Sequence, residues 1–259
     1  MGTTGIHLRD ARAPDGMRLY AIGDVHGRLD LLAAMHARIT AEIAHDRPAD
    51  WRIVHLGDYV DRGPASKGVL DLLVSAGERD PRNIMLAGNH DIGFLGFLDH
   101  PEADSLFVRY GGVETTRSYG VNLATGNAAA LRSSHAALRE AVPQRHVDFL
   151  QGLPFSVSFG DFFFCHAGIR PGVPLAEQSP QDLIWIRDIF HFHAGLHPKV
   201  VVHGHTPHAL PEVEANRVNV DTEAWQSGRL TALVIDGASK NILTIGEDGS
   251  VQRSEAVTP

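Results

Sequence analysis

The chain has one cysteine in 259 residues, Cys165, so no intrachain disulfide can form and a reducing cytoplasm is the expected compartment. No apolar run approaches the roughly 18 residues that would span a bilayer, which excludes an ordinary transmembrane helix. The segment Met1 to Gly16 carries Arg9, Asp10, Arg12 and Asp15 and lacks an apolar h-region, so it does not read as a signal peptide. Basic runs are missing too. Lys plus Arg number 23 against 31 Asp plus Glu, a formal charge of −8, and such a surface is a poor general binder of nucleic acid or anionic membrane. Any phosphate recognition must then be local. There is no internal repeat and no low-complexity segment, and nothing specifies an oligomeric state.

What is present is 43% hydrophobic residues, enough for one sizeable core, and the chain reads as a single domain over 1–259. Five short polar islands each follow an apolar run. They are Gly23-Asp24-Val25-His26-Gly27, Gly57-Asp58-Tyr59-Val60-Asp61-Arg62-Gly63, Gly88-Asn89-His90-Asp91, His166-Ala167-Gly168 and His203-Gly204-His205-Thr206. Strands are expected at Arg18 to Ile22, Trp51 to Leu56 and Asn83 to Ala87, with helical faces after Leu29 and around Val69 to Val74. That alternation is the βαβ pattern, in which ligands gather at the carboxyl ends of the strands. Residues 93–154 break the rhythm and read as a mostly helical insertion. Phe155 to Cys165 reads as a hairpin turned at Gly160-Asp161, and Lys199 to Val202 as the strand carrying the fifth island. Arg217 to Val220, Arg229 to Asp236 and Asn241 to Ile245 read as an antiparallel second half. Residues 1–17 and 249–259 are expected to be flexible ends.

Carboxylate, amide and imidazole donors together suit a pair of divalent first-row metals. Asp24 and His26, two residues apart on a loop, can reach one ion, and Asp58 leaves the neighbouring strand where a carboxylate can bridge two. Asn89, His166 and His205 offer a second ion an amide oxygen and two imidazoles. His90 can protonate a leaving alkoxide with Asp61 as its partner, and Arg62 and Arg187 are fork donors for non-bridging phosphate oxygens.

From Leu19 to Val234 the chain resembles the phosphoprotein phosphatase branch of the calcineurin-like metallophosphoesterases, with the islands matching G-D-x-H-G, G-D-x-V-D-R-G, G-N-H-E, H-A-G and G-H-T. Trp185-Ile186-Arg187-Asp188 resembles the family's tryptophan segment with its phosphate-binding arginine, and Val220-Asp221-Thr222 lies near the last strands. The resemblance implies an α/β fold, a β-sandwich of two mixed sheets flanked by helices in four αββα layers. It implies Asp24, His26 and Asp58 on a first metal, and Asp58, Asn89, His166 and His205 on a second. It gives His90 and Asp61 the acid role and Arg62 and Arg187 the phosphate role. Manganese is the expected ion; iron, zinc and cobalt suit the same donors.

The third island ends in Asp91 where protein phosphatases usually have Glu, an ending shared with the symmetrical diadenosine tetraphosphate hydrolases. Those relatives typically lack the acid before Arg-Gly and carry Trp after the last Gly-His, whereas this chain has Asp61 and Thr206. Glu223 stands where Gly is common, and His203 is not a family requirement. The resulting expectation is a bacterial-type serine/threonine protein phosphatase that acts by in-line attack of a metal-bridging hydroxide on a phosphorylated protein. The alternatives are a dinucleoside polyphosphate hydrolase or a broad phosphoesterase for small phosphoesters.

For the remaining polar and reactive residues the bland assignments prevail. His191, His193, His197 and His208 read as surface residues rather than an accessory metal site, His203 as a residue without a role at the site rather than a rim or supporting one, and Cys165 as a buried inert thiol. Tyr59 is divided between packing and substrate contact.

Overall fold

The computed structural model describes residues 5–257. Eleven strands form two mixed sheets among these residues. The first sheet holds β1 (Met17–Ile22), β2 (Asp50–His55), β3 (Asn83–Met85), β9 (Arg229–Asp236), β10 (Ser239–Gly246) and β11 (Val251–Glu255), in the order β11-β10-β9-β1-β2-β3. The second holds β4 (Ser156–Phe159), β5 (Phe162–Cys165), β6 (Val200–His203), β7 (Glu212–Val213) and β8 (Arg217–Asn219), in the order β4-β5-β6-β8-β7. Helices α1 (Leu29–Asp46) and α2 (Ser66–Arg79) connect the first three strands, which run parallel.

Side chains alternate across each strand, and because both faces of the sheet are covered at β1, both sets are apolar there. Leu19 and Ala21 of β1 face the second sheet, where they join Phe162, Phe164, Val200 and Val202 in one core. Tyr20 and Ile22 point the other way, into a core shared with α1, α2 and the insertion. On the far side Phe163, Cys165 and Val201 pack under α8 (Pro180–Trp185) and α9 (Asp188–His191) through Leu183, Ile186 and Phe190. The layers are therefore helix, sheet, sheet, helix, as the resemblance implies.

Residues 93–154 are mostly helical: the tail of α3 (Asn89–Asp99), then α4 (Leu106–Arg109), α5 (Gly112–Ser118), α6 (Ala128–Ala141) and α7 (Gln144–Gln151). They add Phe94, Phe97, Phe107, Tyr119, Leu138 and Leu150 to the outer core of the first sheet. A four-residue helix, α10 (Ala224–Ser227), completes the set.

Three expectations need correction. The second half is not uniformly antiparallel: β8 pairs parallel to β6 in the second sheet, while β9 and β10 pair antiparallel in the first. The ends are held as well, over the residues described. Leu8 and Ala11 are buried in the inter-sheet core, with Leu8 N–H donating to Ala215 O at 2.7 Å. Residues 251–255 form β11 against β10. Residues 1–4 and 258–259 lie outside the description. No helix among the described residues is long and apolar enough to cross a membrane.

Candidate metal centre and active site

The islands leave their strands in left-handed backbone. His26, Asp58, Asp61, Arg62 and His205 have φ of 42°, 54°, 71°, 65° and 66°. L-residues adopt this region at a cost, and runs of it persist where the surroundings over-determine the loop. The loops also touch closely. A Cβ on Gly88 would lie 2.2 Å from the Asp58 amide nitrogen, and one on Gly204 would lie 2.1 Å from Asp24 Oδ1. These two glycines are therefore required by approach rather than by turn geometry.

Asp58 is the centre of the arrangement. Its Oδ2 stands 3.4 Å from His26 Nε2 and 3.4 Å from His166 Nε2, and its Oδ1 accepts from His90 N–H at 3.0 Å. The donor atoms of His26, Asp58 and His90 lie within 4.8 Å of one another, and so do those of Asp58, His166 and His205. Asn89 Oδ1 is 2.9 Å from His166 Nε2. Asp24 completes the floor, its two carboxylate oxygens accepting from His205 N–H at 3.3 and 3.2 Å. The structure thus gathers all six expected ligands, Asp24, His26, Asp58, Asn89, His166 and His205, around one buried spot.

The protonation pattern bears on whether cations fit. His26 Nδ1 is 2.8 Å from Val60 O and His166 Nδ1 is 2.9 Å from Leu56 O, so both rings donate from Nδ1 to a carbonyl and turn Nε2 inward. Burial, offset in part by Asp58, pushes His26 down to about 3; burial and the neighbouring His166 push His205 down to about 2. Both rings are neutral and present a lone pair. His205 Nε2 is buried without any hydrogen-bond partner. His166 Nε2 faces the oxygens of both Asn89 and Asp58, an arrangement of acceptors that calls for positive charge between them. A proton there answers it: burial would lower His166, but Asp58 and Asp24 outweigh burial and raise it to about 9. A divalent cation answers it equally well. Burial would likewise raise Asp58, yet His166 and His90 hold its carboxyl well below the usual range. The donor set fits a pair of divalent ions.

Beside this cluster, His90 Nδ1 lies 2.7 Å from Asp61 Oδ2, both groups buried. Burial would lower His90; Asp58, then the bond to Asp61, reverse that and raise it. Arg62 Nη2 is 3.1 Å from His90 Nε2, and its guanidinium sits 5.6 Å from the ring of Trp225. Arg187 is exposed, with only long contacts from Nη1 to Thr206 Oγ1 at 3.4 Å and from Nη2 to His205 O at 3.5 Å. All four residues expected to act on substrate, His90, Asp61, Arg62 and Arg187, border the ligand cluster.

Several residues were misjudged from sequence or given no role. Asp91 is fully buried and its carboxylate accepts from the backbone N–H of Asp58 at 2.8 Å, Tyr59 at 2.9 Å and Gly88 at 3.0 Å. It ties the second island to the third, a job for which a short acid at the third position after a glycine was the available signal. Asp221 is buried near Asp24, and its Oδ1 accepts from Glu223 N–H at 3.0 Å, which holds Glu223 at φ 53° where glycine is usual. His203 packs beneath α9 against Phe190, ring centroids 5.1 Å apart. His197 is not a surface residue, being buried against Phe190 and His193. Tyr59 is packing, its hydroxyl donating to Leu86 O at 2.7 Å in the core. Cys165 is buried, and burial pushes its thiol up.

Known proteins agree with this picture. Residues 17–227 match the family described as calcineurin-like phosphoesterase. The asymmetrical bis(5'-nucleosyl)-tetraphosphatase PrpE of Bacillus velezensis is 25% identical over 229 residues, 81% of this chain and 86% of that protein. A symmetrical bis(5'-nucleosyl)-tetraphosphatase of Yersinia enterocolitica is 43% identical over 106 residues, 35% of this chain and 34% of that one. Among solved structures, a putative diadenosine tetraphosphatase superposes with a TM-score of 0.60 at 19% identity, covering 96% of this chain and 100% of the other. A cold-active protein-tyrosine phosphatase of a Shewanella species gives 0.56 at 14%, covering 98% and 90%. Shared sandwich, gathered metal donors and a match across most of the chain converge: the protein belongs to the calcineurin-like phosphoesterase family and is a metal-dependent phosphoester hydrolase.

Proposed function

We propose that the chain is a phosphomonoesterase of the serine/threonine protein phosphatase type. The observation that carries this reading is the 2.7 Å pair of His90 and Asp61 beside the ligand cluster. A serine or threonine alkoxide is a poor leaving group and needs a proton as the phosphorus–oxygen bond breaks, whereas a nucleotide leaves as a stable phosphate anion. A dedicated acid is worth most for the alcohol ester.

Asp24, His26, Asp58, Asn89, His166 and His205 would hold two divalent ions, with manganese the expected pair, and bound ions supply Lewis-acid activation of water and neutralisation of phosphoryl charge. The chain's own side chains do the rest. Arg187, exposed and loosely held, takes non-bridging phosphate oxygens as a fork donor. Arg62 does the same, and in doing so gives up its contact with His90 Nε2. That nitrogen then carries the proton delivered to the leaving oxygen, while Asp61 keeps the ring oriented through Nδ1–H.

A second reading, hydrolysis of dinucleoside tetraphosphates, is favoured by PrpE, which aligns along most of the chain, and by the Asp91 ending of the third island. One experiment separates the two: kcat/KM of manganese-reconstituted enzyme on a phosphothreonine peptide and on diadenosine tetraphosphate. Preference for the peptide by about tenfold or more, some 1.4 kcal/mol of transition-state discrimination, is expected. The opposite preference would replace the phosphatase reading with the tetraphosphatase one.

A further inference from the structure

Asp61 has two carboxylate oxygens, and only Oδ2 is used by His90. The other is held from an unexpected quarter. Thr115, in α5 of the helical insertion and 54 residues downstream, donates from Oγ1 to Asp61 Oδ1 at 2.9 Å. The same oxygen accepts from Asp61 N–H at 2.8 Å and lies 3.0 Å from Ser66 Oγ. A threonine hydroxyl has one proton and two lone pairs. Because the proton goes to Asp61, Ser66 must be the donor in the last contact, and every hydrogen-bonding valence of Thr115 is then filled. Ser66, Thr115 and Asp61 are all fully buried.

The result is a one-directional chain, Ser66 to Thr115 to Asp61, that meets the His90 ring at Oδ2. Linked hydrogen bonds of this kind polarise one another and fix orientation where no water can substitute. The backbone supports the same docking. Gly111, at φ 107° just before α5, accepts from Arg62 N–H at 3.2 Å, and a Cβ there would lie 2.4 Å from Arg62 N. Ser118 Oγ, one turn on, accepts from Lys67 N–H at 3.0 Å. The insertion therefore grips the left-handed pair Asp61 and Arg62 from outside the strand-end loops.

We propose that Thr115 is a positioning residue for the general acid, setting the Asp61 carboxylate so that His90 delivers its proton to the leaving oxygen. The inference rests on the acid role given to His90 above. It applies to the proton-transfer part of the reaction alone: the phosphorus–leaving-oxygen bond breaks as water oxygen bonds to phosphorus, the His90 Nε2 proton ends on the leaving oxygen, and the surplus water proton passes to solvent, from which His90 is reprotonated. An effect confined to that proton must depend on how badly the leaving group needs it.

The test compares phenyl phosphate with 2,4-dinitrophenyl phosphate, whose leaving group needs little help, on manganese-reconstituted wild type, Thr115→Val, Thr115→Ser and His90→Asn. Thr115→Val is expected to lower kcat on phenyl phosphate about tenfold and on the dinitrophenyl ester less than about twofold. Thr115→Ser should restore the wild-type ratio. Equal losses on both esters, or no loss, would overturn the proposal. His90→Asn separates the two layers. If it steepens the ratio and Thr115→Val does not, Thr115 loses its role and His90 keeps its own. If His90→Asn leaves the ratio unchanged, the acid reading falls and the proposal falls with it. Should Thr115→Val fail to fold, Ser66→Ala takes its place, with a smaller change of ratio in the same sense expected and an unchanged ratio overturning the proposal.

Discussion

The two halves of the site are built to different standards. The half proposed to hold metal is buried, drawn from loops of both sheets, and fixed by backbone hydrogen bonds: Asp58 through its own amide to Asp91, His26 to Val60, His166 to Leu56, His205 to Asp24. The half proposed to grip phosphate rests on two arginines, of which Arg187 is exposed and touches its neighbours only at 3.4–3.5 Å. Ions need fixed, closely spaced donors to be held at all, and a buried orphan such as His205 Nε2 is tolerable because a cation can satisfy it. A phosphate arriving from solvent needs reach and bidentate charge, which an extended guanidinium supplies without being pinned. Rigidity is concentrated where it lowers the cost of binding ions.

The contrast is open to attack at its strongest point first. Asp58→Asn removes the carboxylate shared by both ligand groups, so activity should fall by about 10³-fold, the value of several kcal/mol of charge stabilisation. Metal analysis of the purified variant should then show fewer than two equivalents of manganese. Two retained equivalents with near-normal turnover would show that the buried half does not depend on its centre.

Arg187→Ala probes the loose half. A loss of about 10²-fold in kcat/KM is expected with manganese stoichiometry unchanged, as for a single transition-state donor. A simultaneous loss of metal would mean that the two halves are one unit, and the comparison would collapse.

The smallest effect is on stability. Beneath the ligand loops, His36 Nε2 meets the buried His55 Nε2 at 3.2 Å. Burial, then Arg79, pushes His36 down to about 4; burial, then His36, pushes His55 well below its usual value. Groups depressed in this way bind a proton more readily unfolded than folded. Their contribution is complete above the unfolded pKa near 6.5 and is lost as pH falls towards the folded one. Between pH 7 and 5, the urea-derived stability of His36→Gln should therefore fall by about 2 kcal/mol less than that of wild type. Parallel losses would show that His36 is not among the proton acceptors.

What the sequence made legible follows the same division. The candidate ligands lie in contiguous islands at strand ends, so local pattern was enough to single out Asp24, His26, Asp58, Asn89, His166 and His205 as a group, and the apolar runs before them marked the strands. Asp91 was visible only as a departure from a motif, because its job is to accept three backbone N–H groups, which no side-chain pattern records. Thr115 was invisible, since the contact crosses from the insertion into a loop 54 residues earlier. The direction of β8 depended on its neighbour β6, and pairing partners are chosen by tertiary packing rather than by the strand's own residues. The expectation of a loose N-terminal segment failed for a related reason: Ile6, Leu8, Ala11 and Ala13 are scattered among polar residues, and only the gap they fill reveals them.

The place of β1 between β2 and β9 has a consequence for biosynthesis. One edge of β1 can pair with β2 almost at once, but its other partner begins more than 200 residues later, with Arg18 set opposite Asp236. At a translation rate of roughly 5–20 residues per second, that edge waits on the order of 10–40 s for a mate to leave the ribosome. During that interval an apolar strand with unsatisfied amides is open to any other nascent chain, and the site's donors, spread from Asp24 to His205, cannot yet assemble. The first sheet therefore cannot close around β1 until Arg229–Asp236 has been synthesised.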